Sequence, residues 1–405
     1  MLSGLDDVDT VSQHKEGMHM PDASGVISRP GRAGAASWSK RLLKVVVSLG
    51  LTGVLFIAVL PLISNAPWSA IGADIRSLSM AEIAGLTVLW FLGLYAHSFV
   101  LTAAMPPLTH RRALTLSLTG SAISNVVPLG GAIGIGLNRH MSRTWGFSNA
   151  SFALFAFVTN LWDVLMKLSL PAIALAALLL AGDVTRPQFK TTALSACGVL
   201  VVLLVVTGVS LGSERATKRL ARGVEKSIVF GLRLFGSQRK LSFVPAVLEL
   251  RGESISLLRR GWAQLSLGMI TYSVLQALLL YSCLNLFGST LSVPQVFAGY
   301  ALERVLTIAM ITPGGAGVVE VGITALLVAF GGAPVETVAG VLVYRAFTFG
   351  LEIPVGATGL AFWMWHHRAG RRNAGQSALE PHTALKPHTV LEPHSALKPH
   401  TVGAS

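Results

Sequence analysis

Long apolar runs are the feature of this sequence that most constrains its fold. Most of them exceed the roughly 18 residues that a helix needs to cross the hydrocarbon core of a bilayer. Charged residues make up only 13% of the chain, whereas soluble domains carry about 25%. We therefore predict an all-α, polytopic transmembrane helical bundle of about eight crossings, without a soluble catalytic domain. The runs that we predict to be helices are 42–63, 81–104, 149–181, 191–211, 262–287, 293–311, 318–330 and 335–365.

The segments outside these runs are polar and predict the domain organisation. Residues 1–41 lack the short apolar region and cleavage site of a signal peptide, so we expect a disordered cytoplasmic tail. Residues 42–365 form the predicted transmembrane domain, which includes a basic loop at 212–261. Residues 366–405 form a second disordered tail, in which a six-residue unit beginning Glu-Pro-His or Lys-Pro-His occurs four times from Glu380. The prolines exclude a helix, and the histidines leave metal binding open beside a plain low-complexity tail, although we predict neither a metal nor a cofactor.

Basic residues between the apolar runs predict the orientation of the chain. Arg29, Arg32, Lys40 and Arg41 precede the first run with no acid among them, which places the N-terminus in the cytoplasm. The loop 212–261 carries eleven Lys or Arg against four acids, so it also belongs in the cytoplasm. The formal net charge of +13 therefore favours anionic lipid, and not nucleic acid, as a partner.

The Gly-rich stretch 113–137 decides whether these two assignments agree. If it crossed the membrane completely, the basic loop would lie outside. Only 15 residues precede Pro128, and about 22 Å of helix falls short of a hydrocarbon core of roughly 30 Å. We therefore predict a re-entrant element that enters from the cytoplasm and turns back, which also places the C-terminus in the cytoplasm. A split of the run 149–181 at Pro171 restores the same orientation and stays open as an alternative.

Two Pro/Gly-rich segments interrupt the apolar sequence, at residues 125–136 and 312–320. Proline removes a backbone donor and glycine permits unusual φ angles, so each segment should unwind a helix at membrane depth. In transporters, paired breaks of this kind surround the substrate, because half-helix N-termini attract anions and unwound carbonyls bind cations. Close helix–helix contact through small residues is the alternative for either segment.

Ionisable residues within the apolar runs are a second group of candidates. They are Asp163, Lys167, Glu303, Arg304, Glu320, Arg345 and Glu352. A central Asp, Lys or Arg costs about 2.5–3.5 kcal/mol on insertion scales, so these side chains should face the interior of the bundle. Asp163 and Lys167 lie four apart on one helix face and can neutralise each other. As sequence neighbours, Glu303 and Arg304 point in different directions, so we expect each to need a separate partner.

TPGGAGVVE at 312–320, followed by VLVYRAFTFGLEIPVG at 341–356, resembles the signature of the lysylphosphatidylglycerol-synthase transmembrane, or flippase-like, family. NVVPLGGAIGIGLNRHMSRTWG at 125–146 resembles the Asn/Pro/Gly segment in the first half of that family, and the likeness covers about residues 42–365. The residues that match the family's motifs are Asn125, Pro128, Gly130, Gly131, Arg139, Thr312, Pro313, Gly314, Gly315, Gly317, Glu320, Tyr344 and Arg345. Residues 133–136 depart from the pattern, because they lack the acid that some members carry there.

The resemblance implies a helical domain associated with moving lipids or lipid-linked sugars between leaflets. Members that make aminoacyl-lipids have a soluble transferase domain after the membrane part, where this chain has only the repeat tail. The sequence also lacks the G-x-x-x-x-G-K-[ST] loop that binds ATP phosphates. We therefore do not expect an enzyme.

Our leading hypothesis is a translocator in the cell membrane for a phospholipid or a polyprenyl-phosphate-linked glycan. Arg345, with Arg139 or Arg304, would bind the phosphate of an anionic headgroup, and Glu320 would orient the arginine or titrate. Alternatively, Glu320 and Arg345 form an ion pair that joins two helices. A membrane-embedded enzyme, or a noncatalytic accessory of lipid-linked glycan or cell-envelope assembly that binds an envelope-biosynthesis enzyme, is the alternative function.

Overall fold

The computed structural model describes residues 52–64, 66–127, 130–182, 244–308 and 312–377, and the isolated positions 50, 198, 202, 213–215, 218, 219 and 222. Every regular element within these residues is helical, which confirms the all-α class. The predicted tail 1–41, nearly all of the apolar run 191–211, Pro128 and the Pro-His repeats lie outside the described residues.

The helices of the described residues are numbered in chain order. They are α1 (Leu60–Ser64, which continues a π-helical turn at Leu55–Val59), α2 (Trp68–Arg76), α3 (Met80–Ala104), α4 (His110–Val126), α5 (Gly130–Thr144), α6 (Asn149–Leu180), α7 (Val244–Leu286), α8 (Val293–Leu306), α9 (Val318–Ala329), α10 (Pro334–Arg345) and α11 (Glu352–Ser377). The segments long and apolar enough to cross a membrane are Met80–Ala104, Asn149–Leu180, Arg260–Leu286 and Pro334–His367. The chain is a multi-pass membrane protein.

Helix boundaries differ from the sequence prediction at three points. α6 continues without interruption through Pro171, so the alternative in which this run is split there is wrong. α7 begins at Val244, well before the predicted start at residue 262, and its 43 residues span about 65 Å, more than a bilayer core requires. α11 continues to Ser377, past the predicted end at residue 365.

α4 and α5 form an antiparallel helical pair, which we call hairpin 1. Asn138 of α5 donates from Nδ2 to the Leu116 carbonyl of α4 at 3.1 Å. Near the turn, Gly130 lies so close to the Ile123 carbonyl that a Cβ would overlap it. Both ends of hairpin 1 therefore lie at the same end of the bundle, which confirms that the stretch 113–137 turns back. Its arms of 17 and 15 residues are about 26 and 23 Å long, shorter than the hydrocarbon core.

α8 and α9 form a second antiparallel pair, which we call hairpin 2, with its tip at residues 312–317. Gly299 of α8 faces the Leu327 side chain of α9, and Gly322 of α9 faces Leu306 of α8. The arms have 14 and 12 residues, or about 21 and 18 Å. The two runs that the sequence suggests as separate crossings are therefore the arms of one hairpin.

The two hairpins enter the bundle from opposite ends, because the helices that precede them are antiparallel. Gly93 of α3 faces the Gln276 side chain of α7, whereas Val100 lies against Gly268. Hairpin 1 follows α3 and hairpin 2 follows α7. The order helix, hairpin, helix thus occurs twice, with the second copy inverted.

Sequence spacing and packing support an inverted repeat. Pro128 and Pro313 lie 185 residues apart, and so do Asn149 and Pro334, the first residues of α6 and α10. The first arm of hairpin 1 packs on α11, and the first arm of hairpin 2 packs on α6. Each half therefore contributes a hairpin that packs on a helix that follows the hairpin of the other half, and inverted repeats of helices are known from transporters.

Candidate functional site

The tip of hairpin 2 is an unwound turn that glycine makes possible. Gly314, Gly315 and Gly317 have φ angles of 57°, 74° and 84°, which residues with a Cβ rarely adopt. Thr312 closes the turn, since its Oγ1 donates to the Ala316 carbonyl at 2.8 Å. The predicted unwinding of this motif is therefore confirmed, and it places backbone amides and carbonyls inside the bundle.

Arg345 of α10 fixes this tip. Its Nε donates to Glu320 Oε1 at 2.7 Å, and its Nη2 donates to the Gly314 carbonyl at 3.1 Å. The other oxygen of Glu320 accepts from the Gly317 amide at 2.6 Å, at the N-terminus of α9. Glu320 is 1% exposed and Arg345 is 6% exposed, so both charges are buried in a fully hydrogen-bonded pair. The alternative of an ion pair that joins two helices is confirmed.

Glu303 extends the buried charges to α8. One carboxylate oxygen accepts from the Tyr344 hydroxyl at 2.5 Å. The other lies 2.7 Å from Arg304 Nη2 and 3.6 Å from Arg345 Nη1. The expectation that Glu303 and Arg304 need separate partners is wrong, because the long arginine side chain folds back onto its neighbour.

These residues form what we call the charge network, composed of Glu303, Arg304, Glu320, Tyr344 and Arg345. Hairpin 2 supplies both carboxylates, one from each arm, and α10 supplies the tyrosine and one arginine. The sequence predicted the members but not their arrangement, since spacing alone does not reveal that two arms of a hairpin lie side by side.

The tip of hairpin 1 meets the tip of hairpin 2 through Asn125. Its Nδ2 donates to the Phe349 carbonyl at 3.4 Å. A Cβ on Gly314 would lie only 2.6 Å from Asn125 Oδ1, so glycine is required for this approach. Within the predicted glycine pair, only Gly130 is tightly packed, because a Cβ on Gly131 would have no neighbour within 4 Å.

Arg139 does not join the site. It lies in the second half of α5, where its Nε donates to Asn149 Oδ1 at 3.1 Å at an exposed position. The structure therefore does not bring it to Arg304 or Arg345, although the sequence hypothesis grouped these three arginines.

A π-helical turn at Ala346–Leu351 joins α10 to α11 beside the charge network. Such turns free backbone carbonyls from regular helical bonding, and the Phe349 carbonyl accepts from Asn125 here. Glu352 follows directly, is 8% exposed, and has no ion-pair partner within the described residues. It lies beside Ser121 of α4.

A second polar group lies where α3, α4, α6 and α7 meet, and we call it the His97 cluster. The His97 ring packs on Tyr272 with centroids 4.9 Å apart, and its Nδ1 lies 3.5 Å from the Ser117 hydroxyl. Asp163 and Lys167 of α6 form the predicted ion pair at 2.7 Å, and their charges act on His97. Sequence reasoning missed His97, although a histidine inside an apolar run is itself a signal of an intramembrane polar site.

An inverted pair of hairpins around buried, paired charges defines a polytopic helical membrane protein with an architecture that recurs among transporters. Residues 41–356 match the family model described as the lysylphosphatidylglycerol synthase TM region, so the chain belongs to this family. Membership of this family relates the chain to lipid modification or lipid flipping. No curated protein matches the chain.

Proposed function

We propose that the protein is a lipid translocator, which moves a phospholipid or a polyprenyl-phosphate-linked glycan between the leaflets of the cell membrane. The observation that carries this proposal is the meeting of two inverted hairpins at buried ionisable side chains. Such side chains are costly at membrane depth and mark the pathways of polar substrates. A headgroup passes between the hairpins, while its acyl or prenyl chains stay in the surrounding lipid.

Arg345 positions hairpin 2 in this proposal and is not a direct ligand of phosphate. Its donors are already engaged by Glu320, Glu303 and the Gly314 carbonyl. A phosphate would have to displace a carboxylate, and breaking a buried pair costs about 3–5 kcal/mol. Arg304 is the better headgroup contact, because its Nε is buried without a hydrogen-bond partner within the described residues.

We also propose that the chain is not an enzyme. Glu303 and Glu320 are the candidate acids nearest the unwound tip, and each is bound to an arginine. In this proposal both carboxylates are counter-ions of buried arginines and not general acids or bases.

The distribution of basic residues supports cytoplasmic termini and anionic lipids as partners. Four basic segments lie at the end of the bundle where hairpin 1 enters. They are 110–112, 139–143, 251–260 and 366–372. Lysine and arginine concentrate on the cytoplasmic side of membrane proteins, so we place this end, and with it the C-terminus, in the cytoplasm.

Leaflet exchange in proteoliposomes tests the proposal. The full chain is reconstituted with fluorescent phospholipids, and exchange is followed by dithionite quenching of the outer leaflet. We expect the wild-type protein to accelerate exchange over protein-free vesicles and Arg345→Ala to lose at least tenfold of that activity, since ~1.4 kcal/mol already corresponds to tenfold. The matched control is Lys218→Ala, which removes a cation from an exposed ion pair with Glu214 and should leave exchange unchanged.

A second variant separates loss of function from loss of folding. Arg345→Ala leaves Glu320 buried without its cation, whereas Glu320→Gln combined with Arg345→Met removes both charges and should fold. This double variant should elute as a monodisperse species and still lose exchange, because nothing then holds the Gly314 carbonyl. Wild-type exchange in the folded double variant would refute the role of the network.

A further inference from the structure

A groove of about 620 Å³ lies between α3 and α7 on the outer surface of the bundle. Ala96 and Gly268 are buried at its floor, where their small size lets the two helices approach each other. Leu92, Phe99 and Leu267 are exposed along its walls. Both helices lie in spans that are long and apolar enough to cross a membrane, so the groove faces the hydrocarbon of the bilayer.

The groove has the length of one leaflet. On α7 it extends from Gln264 to Leu275, about 16 Å along the helix axis, and half of the hydrocarbon core is roughly 15 Å. Gln264 closes its outer end by donating from Nε2 to the Phe99 carbonyl at 3.2 Å. This end lies close to Arg260, where the apolar span begins. A single acyl chain can therefore follow the groove from the membrane surface to the middle of the bilayer.

Basic side chains lie at the outer end of the groove. The ring of His110, the first residue of α4, packs on the rings of Tyr95 and Phe99, with centroids 5.5 and 4.5 Å apart. Arg111 follows and is exposed. Arg260 is also exposed and lies one helical turn before the groove begins on α7. Neither arginine has an ion-pair partner within the described residues.

The three helices around this end carry almost no acid to neutralise the arginines. α4 contains none, and neither does α7 from Arg260 to its end. The single acid of α3, Glu82, lies in its first turn, at the opposite end of the helix. The positive N-terminal end of the α4 dipole adds to the field. Basic pockets of this kind between transmembrane helices bind anionic lipid headgroups.

We propose that the groove binds one anionic phospholipid, with an acyl chain between α3 and α7 and its phosphate at Arg111 and Arg260. This lipid is a resident ligand and not the transported molecule, since the charge network does not line the groove. α3 precedes hairpin 1 and α7 precedes hairpin 2, so the lipid joins the two halves of the inverted repeat. The inference goes beyond the proposed function and does not depend on it.

A second copy of the chain fits the groove less well than a lipid does. A symmetric dimer through this face would bring the same basic residues of both copies together. Arg111 and Arg260 would then gain like charges instead of the anion that they lack. An anionic phospholipid supplies both an apolar chain for the walls and a negative charge for the outer end.

Native mass spectrometry of the full chain in detergent tests the inference, because it reports the bound lipid and the oligomeric state together. Dioleoyl phosphatidylglycerol and the net-neutral dioleoyl phosphatidylcholine are added in separate titrations. We expect the monomer to retain one phosphatidylglycerol at a concentration about tenfold below the one at which it retains phosphatidylcholine. Equal retention of the two lipids would overturn the inference.

A matched pair of substitutions tests the groove. Thr271 is an exposed residue of the groove, and Thr271→Trp fills the space of the acyl chain, so bound phosphatidylglycerol should fall about tenfold. Val274 lies on the same helix, is 56% exposed and does not line the groove. Val274→Trp should therefore keep the lipid, and equal losses in the two variants would overturn the assignment.

A second pair tests the headgroup end. Arg111→Gln combined with Arg260→Gln removes two exposed cations and should weaken binding of phosphatidylglycerol by about thirtyfold. Arg139→Gln combined with Arg143→Gln is the control, because it removes the same charge from exposed positions of α5, which does not line the groove. An equal loss in this control would show a general effect of net charge and overturn the site.

Two further results separate the groove from other locations. The variant with Glu320→Gln and Arg345→Met, which alters the charge network, should keep the phosphatidylglycerol. Loss of the lipid in that variant with retention in Thr271→Trp would place it between the hairpins and overturn the inference. A wild-type dimer without bound lipid that Thr271→Trp converts to a monomer would assign the groove to a second copy and also overturn it.

Discussion

Tyr344 and Arg345 are adjacent in sequence yet hold different arms of hairpin 2. Neighbours on a helix point about 100° apart, so the Tyr344 hydroxyl reaches Glu303 in α8 while the Arg345 side chain binds Glu320 in α9. Two consecutive residues of α10 thereby fix both sides of one unwound tip. A Tyr-Arg dipeptide whose arginine lies 25 residues after Glu320 can therefore bind both arms of hairpin 2.

Removal of the Tyr344 hydroxyl tests the contribution of its hydrogen bond to Glu303. Tyr344→Phe leaves Glu303 with one hydrogen bond fewer, and a bond to a charged group contributes about 1.5–3 kcal/mol. We expect a lower unfolding midpoint in detergent. Tyr281→Phe is the control, because the Tyr281 hydroxyl bonds to nothing within the described residues, and it should leave the midpoint unchanged. Equal midpoints for the two variants would contradict a stabilising role of the Tyr344–Glu303 hydrogen bond.

At the scale of elements, each hairpin depends on a glycine that leaves room for a close neighbour, a backbone carbonyl in hairpin 1 and side chains in hairpin 2. In hairpin 1 this is Gly130, whose hydrogen faces the Ile123 carbonyl, and in hairpin 2 it is Gly314, which faces Asn125 and Phe349. The arms are too short to cross the hydrocarbon core. The tight turns at the tips let the chain return to the end of the bundle from which it entered.

Adjacent glycines of hairpin 1 offer a matched pair of substitutions. Gly130→Ala forces a Cβ into the Ile123 carbonyl and should destabilise the protein by about 1–3 kcal/mol. Gly131→Ala meets open space and should be neutral or slightly stabilising, because alanine favours the helix. Thermal unfolding of both variants in detergent gives the comparison, and equal stability would contradict the described turn.

The sequence was sufficient to predict that 113–137 turns back, because helix length and the placement of basic residues both demanded it. The sequence was not sufficient to predict hairpin 2, because runs 293–311 and 318–330 each have the pattern of an apolar helix. Only the packing of these helices reveals that they form a hairpin. The Glu303–Arg304 pair was also missed, because a helical wheel gives the direction of a side chain at its root but not the path of a long, flexible arginine.

For the whole molecule, inversion of the two halves is the central claim. It brings two tips together from opposite ends of the bundle. The charge network thereby lies beside Asn125 of hairpin 1, and the His97 cluster lies between helices of both halves. Sites at the interface of inverted repeats become accessible from each side when one half moves against the other. A translocator needs this property, and a bundle of simple crossings does not provide it.

Sidedness of single cysteines in sealed vesicles tests this claim most directly. Cysteine is introduced at exposed positions flanking each hairpin, Pro107 and Arg143 for hairpin 1 and Thr290 and Ala333 for hairpin 2, after replacement of Cys197 and Cys283. A membrane-impermeant maleimide should label both sites of hairpin 1 from one side of the membrane and both sites of hairpin 2 only from the other. Labelling of Pro107→Cys and Arg143→Cys from opposite sides, or of all four sites from the same side, would contradict the inverted arrangement.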